Sequence, residues 1–173
     1  MVFSPFTLQD GTRVLIRPVQ PGDKPRLAAA MGRLSAESAR RRFLAAKPSL
    51  SAAELRYLTE VDGSHHIALV AVLADDPERI AGVARCVRMA PGAGTAEFAI
   101  VVGDPLQGLG LGTALTRALG AAAARAGIRR FSAITRAENV AVERLIEDVA
   151  AHVEERPAPG GVRELLAELP RAA

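Results

Sequence analysis

Gly108, Gly110 and Gly112 alternate within Gln107-Gly108-Leu109-Gly110-Leu111-Gly112, a spacing suited to cradling an anion. Glycine lets the backbone approach a ligand with no Cβ in the way. The turn follows the apolar run Thr95 to Val102 and leads into a helical pattern. A helix start exposes unpaired N–H groups and carries a positive partial charge, so phosphate is the natural guest. Two commoner nucleotide motifs fail. A P-loop needs Gly-Lys-Ser/Thr, and Gly112 is followed by Thr113-Ala114. A dinucleotide fingerprint, G-x-G-x-x-G, would need glycine at Thr113 or Leu115. Its acidic residue, about 20 positions on, would fall where Arg129-Arg130 stands. The plain alternative is a glycine turn that only packs a helix against a strand.

The elements that must position this turn can be read outward from it. Phe6 to Leu8 and Thr12 to Ile16 flank Asp10-Gly11 and form a hairpin. Asp23 is the expected N-cap of a helix from Lys24 to Arg33, with Leu27, Ala30, Met31 and Leu34 on one face. Ser35 caps a helix from Ala36 to Phe43, whose run Arg40-Arg41-Arg42 reads as a solvated face. Ser51, with Glu54 at capping-box spacing, starts a helix from Ala52 to Glu60. His66 to Leu73 and Ile80 to Met89, parted by Asp75-Asp76-Pro77, read as an antiparallel pair, and Thr95 to Val102 as a further strand. From Gly110 to Ala126 a helix buries Leu111, Leu115, Leu119 and Ala122 or Ala123, with Gly127 as its C′ glycine. Arg130 to Ile134 is a strand and Asn139 to Val149 a helix. His152 to Glu155 and Val162 to Leu166 read as a final hairpin, although Arg163 to Leu169 also suits a short helix. Strand, helix and strand in succession imply a parallel pair, so the sheet is mixed.

Composition narrows the class. A chain of 173 residues suits one domain, residues 1–173. Net charge is +3, from 22 basic against 19 acidic residues, too balanced for a nucleic-acid partner. No apolar run reaches the roughly 18 residues that span a bilayer, and the start lacks a secretory pattern, so no membrane partner and a cytoplasmic location are expected. Cys86 is the one cysteine, which leaves no disulfide or zinc framework, and no metal is expected. Arginine and alanine richness suggests a bacterial source.

The stretch Val101 to Leu115 resembles the central motif of the GNAT family of N-acetyltransferases: Gln or Arg, two residues, Gly, one residue, Gly or Ala. Gln107, Gly110 and Gly112 match it. Asp10-Gly11-Thr12 with Ile16-Arg17-Pro18 is similar to the family's first strand, and Ala137-Glu138-Asn139 to the start of its cofactor-flanking helix. Arg41-Arg42-Phe43 and Ala96 to Val101 resemble the bacterial protein lysine acetyltransferase branch. The resemblance implies a three-layer α/β/α (α+β) fold with a mixed, mostly antiparallel, centrally splayed sheet, and acetyl-CoA as acetyl donor in the opening. By it, the backbone of Gly108, Leu109, Gly110, Leu111, Gly112 and Thr113, headed by Gln107, would hold the pyrophosphate. Ile100, Val101 and Val102 would pair with the pantetheine as an added strand does. Asn139 would contact the cofactor from the other side.

Acetyl transfer needs a neutral amine, a base to take its proton, and a donor to the developing oxyanion. Glu97 is the candidate base. It lies amid Ala96, Phe98 and Ile100, neighbours expected to raise its pKa, and alternation aims it at the splay or at solvent. A glutamate at this position is the general base in the similar lysine acetyltransferases. An amide near Val101 or Val102 would serve the oxyanion. The family's usual thiolate-protonating tyrosine is missing from the last helix, and Tyr57 reads as a packing residue. His65 and His66 read as a solvated loop pair, His152 as part of the final hairpin and Cys86 as an inert buried thiol. Ala150-Ala151 replaces the family's common Gly-Phe, which puts the ends of the final hairpin in question. The expected activity is acetylation of a primary amine, with a protein lysine favoured over a small-molecule amine. A non-catalytic acyl-CoA-binding regulator is the other class, and edge strands leave room for a homodimer.

Overall fold

The computed structural model describes residues 4–44, 49–136 and 138–170. Strands β1 (Ser4–Thr7) and β2 (Arg13–Pro18) form the first hairpin. Asp10 holds its turn, accepting from the Thr12 amide at 2.9 Å and hydroxyl at 3.0 Å. Asp23 stands at the N-cap of α1 (Lys24–Gly32), as expected, but its side chain makes no capping bond to that helix. It closes a one-turn 3-10 helix, Pro21–Asp23, where its fully buried carboxylate accepts two 2.7 Å bonds from Arg17. A buried carboxylate needs a cation more than a helix needs this cap. Helix α2 (Ala36–Phe43) is capped by Ser35, and α3 (Ala52–Thr59) by the Ser51–Glu54 box, both as expected.

Strands β3 (His66–Leu73), β4 (Ile80–Arg88) and β5 (Thr95–Val102) form an antiparallel meander. Helix α4 (Leu111–Arg125) crosses to β6 (Arg130–Arg136), then α5 (Val140–Glu147) leads to β7 (His152–Ala158) and β8 (Val162–Glu168). The last segment is a strand: Leu165, Ala167 and Leu169 bury alternately, and its backbone pairs with β6 and β7 at once. The hairpin forms despite Ala150-Ala151, with the Ala151 amide donating to the Glu168 carbonyl at 2.8 Å. Sheet order is β1-β2-β3-β4-β5-β6-β8-β7.

Two cores lie on the two faces. On one, Leu111, Leu115, Leu119 and Ala123 of α4, all fully buried, pack on the sheet with Phe98 and Phe131. On the other, Leu27 of α1 and residues of α3 cover Val70, Val72 and Val83. Between them the sheet opens. Parallel strands β5 and β6 pair only over Thr95–Arg130, Ala96–Phe131 and Glu97–Ser132, and the remainder of each goes its own way. Among the described residues no helix is long and apolar enough to cross a membrane.

Candidate functional site

The glycine turn lies at the mouth of this opening. Gly110 is the N-cap of α4 with φ 91°, a left-handed conformation that a side chain would strain, and no side chain caps the helix. Ala114 is bonded back to the Gly110 carbonyl at 3.1 Å, so the amides of Leu111, Gly112 and Thr113 precede the helix ladder and are free to donate. Gly112 packs closely against α5: a Cβ there would come within 3.1 Å of the Leu145 side chain, which would have to shift. Leu109 and Leu111 contribute backbone alone, because Leu111 is fully buried and Leu109 packs against the core.

These amides open onto a cleft of about 420 Å³. It brings together Gly108, Gly110, Gly112, Thr113, Gln107, Ile100, Val101, Val102 and Asn139. Hydrogen bonds from Gly103 to Ala81 and from Met89 to Thr95 set the parity of the β4–β5 ladder. Bonding alternates in an antiparallel pair, so Glu97, Ala99 and Val101 spend their amides and carbonyls on β4. Phe98, Ile100 and Val102 turn theirs away from β4. Past Glu97 no strand meets them there. The expected trio narrows to the Ile100 backbone and the Val102 amide, and the Val101 amide is spent on β4. Gln107 uses its amide within the protein, donating to the Val102 carbonyl and the Ser38 hydroxyl, both at 3.0 Å.

Asn139 faces the cleft 8% exposed, and its side chain has no hydrogen-bond partner among the described residues. The buried Thr135 hydroxyl, on the part of β6 that has left β5, is likewise unpaired. Arg41, Arg42 and Arg144 line the same cleft. Free amides, unpaired polar groups and three cations fit a long, amide-bearing polyanion such as CoA.

Glu97 lies across β5 from this cleft. Its apolar neighbours Ala96 and Phe98 turn to the α4 face, whereas Glu97 is exposed on the α1–α3 face. The desolvation expected from those neighbours is therefore lacking. The carboxylate borders a second pocket, of about 370 Å³, with Arg42, Tyr57, Arg85, Val87 and Ala99. Arg42 lines both pockets and makes the basic run of α2 more than a solvated face. Burial pulls its pKa down, against the attraction of Glu97 and Tyr57.

Two aromatic residues depart from expectation here. Tyr57 is 58% exposed at this pocket, not packed in a core. His66 is buried, its ring 5.0 Å from Tyr57, with Nε2 at 3.2 Å from Arg85 Nη1. Arginine can only donate, so His66 Nε2 accepts and the ring is neutral. Burial and then the Arg85 charge push its pKa down to about 4. His65 stays in the loop, its amide bonded to Asp62, and His152 is exposed in the final hairpin. Cys86 is buried as expected, its thiol pushed up to about 12 by burial. Among the described residues no cluster of metal-ligating side chains is found.

An acetyltransferase (GNAT) domain model matches residues 13–151. The chain belongs to the GNAT acetyltransferase family. Acetyltransferase Pat of Mycolicibacterium smegmatis is 34% identical over 154 residues, 85% of this GNAT chain and 44% of that protein. The chain thus spans less than half the length of that relative. Acetyltransferase PA5475 of Pseudomonas aeruginosa is 35% identical over 140 residues, 80% of this chain and 75% of that one. Among solved structures, the GNAT domain of S. lividans PAT superposes with a TM-score of 0.85 at 29% identity, covering 96% of this chain and 97% of that one.

Several GNAT site residues escape sequence reasoning. Ser38 and Asp104 form one network: the Ser35 amide and hydroxyl and the Ser38 hydroxyl donate to Asp104 at 2.9, 2.8 and 2.6 Å. It ties α2, and with it Arg41 and Arg42, to the end of β5. Three serine–aspartate contacts spanning more than 60 positions leave no local pattern. Arg144 lines the cleft from one turn inside α5, and at five positions from Asn139 it lies off the i+3 and i+4 spacing that would have marked it.

Proposed function

We propose that this GNAT chain moves the acetyl group of acetyl-CoA to a primary amine, with a protein lysine as the acceptor. One observation carries the reading. A single strand, β5, turns the free backbone of Ile100 and the Val102 amide into the phosphate-facing cleft and the Glu97 carboxylate into an adjoining pocket, and Arg42 borders both. Donor and acceptor can therefore approach the same strand from two sides.

The chain's residues act in an order set by their chemistry. The free amides at the start of α4 and the cations Arg41 and Arg144 bind the phosphates. The Ile100 backbone and the Val102 amide orient the pantetheine arm. Acetyl-CoA supplies an activated thioester carbonyl. Glu97 takes the proton of the incoming ammonium, directly or through one water, leaving a nucleophilic amine. The Ile100 or Val102 amide donates to the carbonyl oxygen as charge develops on it. A C–N bond forms and the C–S bond breaks; the nitrogen sheds its second proton, which passes through water to the departing thiolate, since α5 carries no tyrosine, and Glu97 returns its own proton to solvent. The resemblance of Arg41-Arg42-Phe43 and Ala96 to Val101 to the lysine acetyltransferase branch supports a protein acceptor over a small amine.

The test is release of CoA with labelled acetyl-CoA and a lysine peptide. Glu97→Gln is expected to lower kcat by roughly 10²- to 10⁴-fold while acetyl-CoA affinity holds. Unchanged kcat at saturating substrates would remove Glu97 from the chemistry.

A further inference from the structure

Two arginines on the α1–α3 face make no salt bridge among the described residues, and the one carboxylate in their pocket is Glu97. Arg85 lies mid-strand on β4, flanked in register by Ala68 on β3 and Ala99 on β5, and is 5% exposed. Small residues on both sides leave space over the guanidinium. Its Nη1 donates to the Leu58 carbonyl and to His66 Nε2, both at 3.2 Å and both neutral acceptors. Among the described residues no carboxylate pairs with it, and residues 45–48, Ala-Ala-Lys-Pro, contain no acid. Burial, then the nearby Arg42 charge, pushes its pKa down to about 9. Arg42 has no hydrogen-bond partner among the described residues and stacks over the Phe43 ring at 4.9 Å. A cation taken out of water without an anion is strongly unfavourable, and two facing cations more so. Such a pair is retained most simply where an anion arrives with a ligand.

The pocket says which ligand. Arg42 and Arg85 line it together with Glu97, Tyr57 and Ala99. Ala99, opposite Arg85, is two residues along β5 from Glu97, about 7 Å at strand spacing. We propose that Arg42 and Arg85 form an anion subsite for the acceptor, binding a carboxylate carried beside the amine that Glu97 deprotonates. This rests on the acetyl-transfer reading above and narrows its substrate class. Two sources share the chemistry: an acidic side chain beside a target lysine, and the carboxylate of a small ω-amino acid.

The experiment compares two matched pairs on the full chain with acetyl-CoA: a Glu-Lys against a Gln-Lys peptide, and 6-aminohexanoate against its amide. In wild type, kcat/KM is expected to favour the acid member of one pair by about tenfold to a hundredfold, mostly through KM. That pair identifies the source. The preference should fall to near one in Arg85→Gln and persist in part in Arg85→Lys. Arg42→Gln, at a less buried position, gives the same readout should Arg85→Gln fail to fold. Equal use of acid and amide in both pairs, or a preference untouched by the variants, overturns the subsite. Fluorescence anisotropy of the labelled peptides with CoA present reads binding without turnover. Acid-selective binding lost in the variants, with no acetylation, upholds the subsite and sinks the transfer reading. Equal binding of both peptides, with no acetylation, sinks both.

Discussion

At the scale of single residues, side-chain direction decided more than residue type. Glu97 and its neighbours could be read as a strand, but its apolar flanks belong to the opposite face and leave it exposed. Asp23 before Lys24-Pro25 has the look of an N-cap, yet Arg17, six positions earlier, claims its carboxylate. Tyr57 and His66 exchange their expected environments because α3 crosses the strand end that carries His66. No local pattern encodes that crossing. His66 yields a prediction with a definite sign. Its pKa is about 4 in the folded chain against the ordinary 6.5, so the unfolded chain takes up the proton first as pH falls. The stability His66 contributes is whole above pH 6.5 and is lost progressively towards pH 4. Urea unfolding at pH 7 and pH 4.5 should show a smaller loss in His66→Gln than in wild type. An identical loss in both would mean that the buried ring does not titrate this way.

At the scale of elements, the chain was most legible where one period dominates. The strands from His66 to Val102 and the α4 stripe of Leu111, Leu115, Leu119 and Ala123 sit where their patterns put them. Legibility failed where two periods compete. Arg163 to Leu169 satisfies both a helix and a strand, and only its place between β6 and β7 settles the matter. The start of α4 was legible because glycine alone tolerates its backbone. Gly110→Ala at φ 91° should cost about 1–2 kcal/mol in urea unfolding. It should also weaken acetyl-CoA binding several-fold, since the first-turn amides would be displaced. Full affinity in a destabilised Gly110→Ala would mean that those amides do not hold the phosphates.

At the scale of the molecule, strand order and the opening of the sheet lie beyond sequence periodicity. Nothing in Phe98 to Val102 announces that β6 departs after Glu97. Past Glu97, β6 keeps its pairing with β8 alone, and resemblance to the GNAT family carried the expectation of a splay. The same opening carries the central proposal, that its free amides and cations hold CoA rather than another nucleotide. A thermal-shift comparison of acetyl-CoA, CoA, ATP and NAD tests it most directly, because a ligand that binds only the native state raises Tm. At a hundred times Kd, acetyl-CoA and CoA should each add about 2.7 kcal/mol and raise Tm by roughly 5–10 °C, with ATP and NAD giving little change. A rise with ATP or NAD and none with acetyl-CoA would contradict the account.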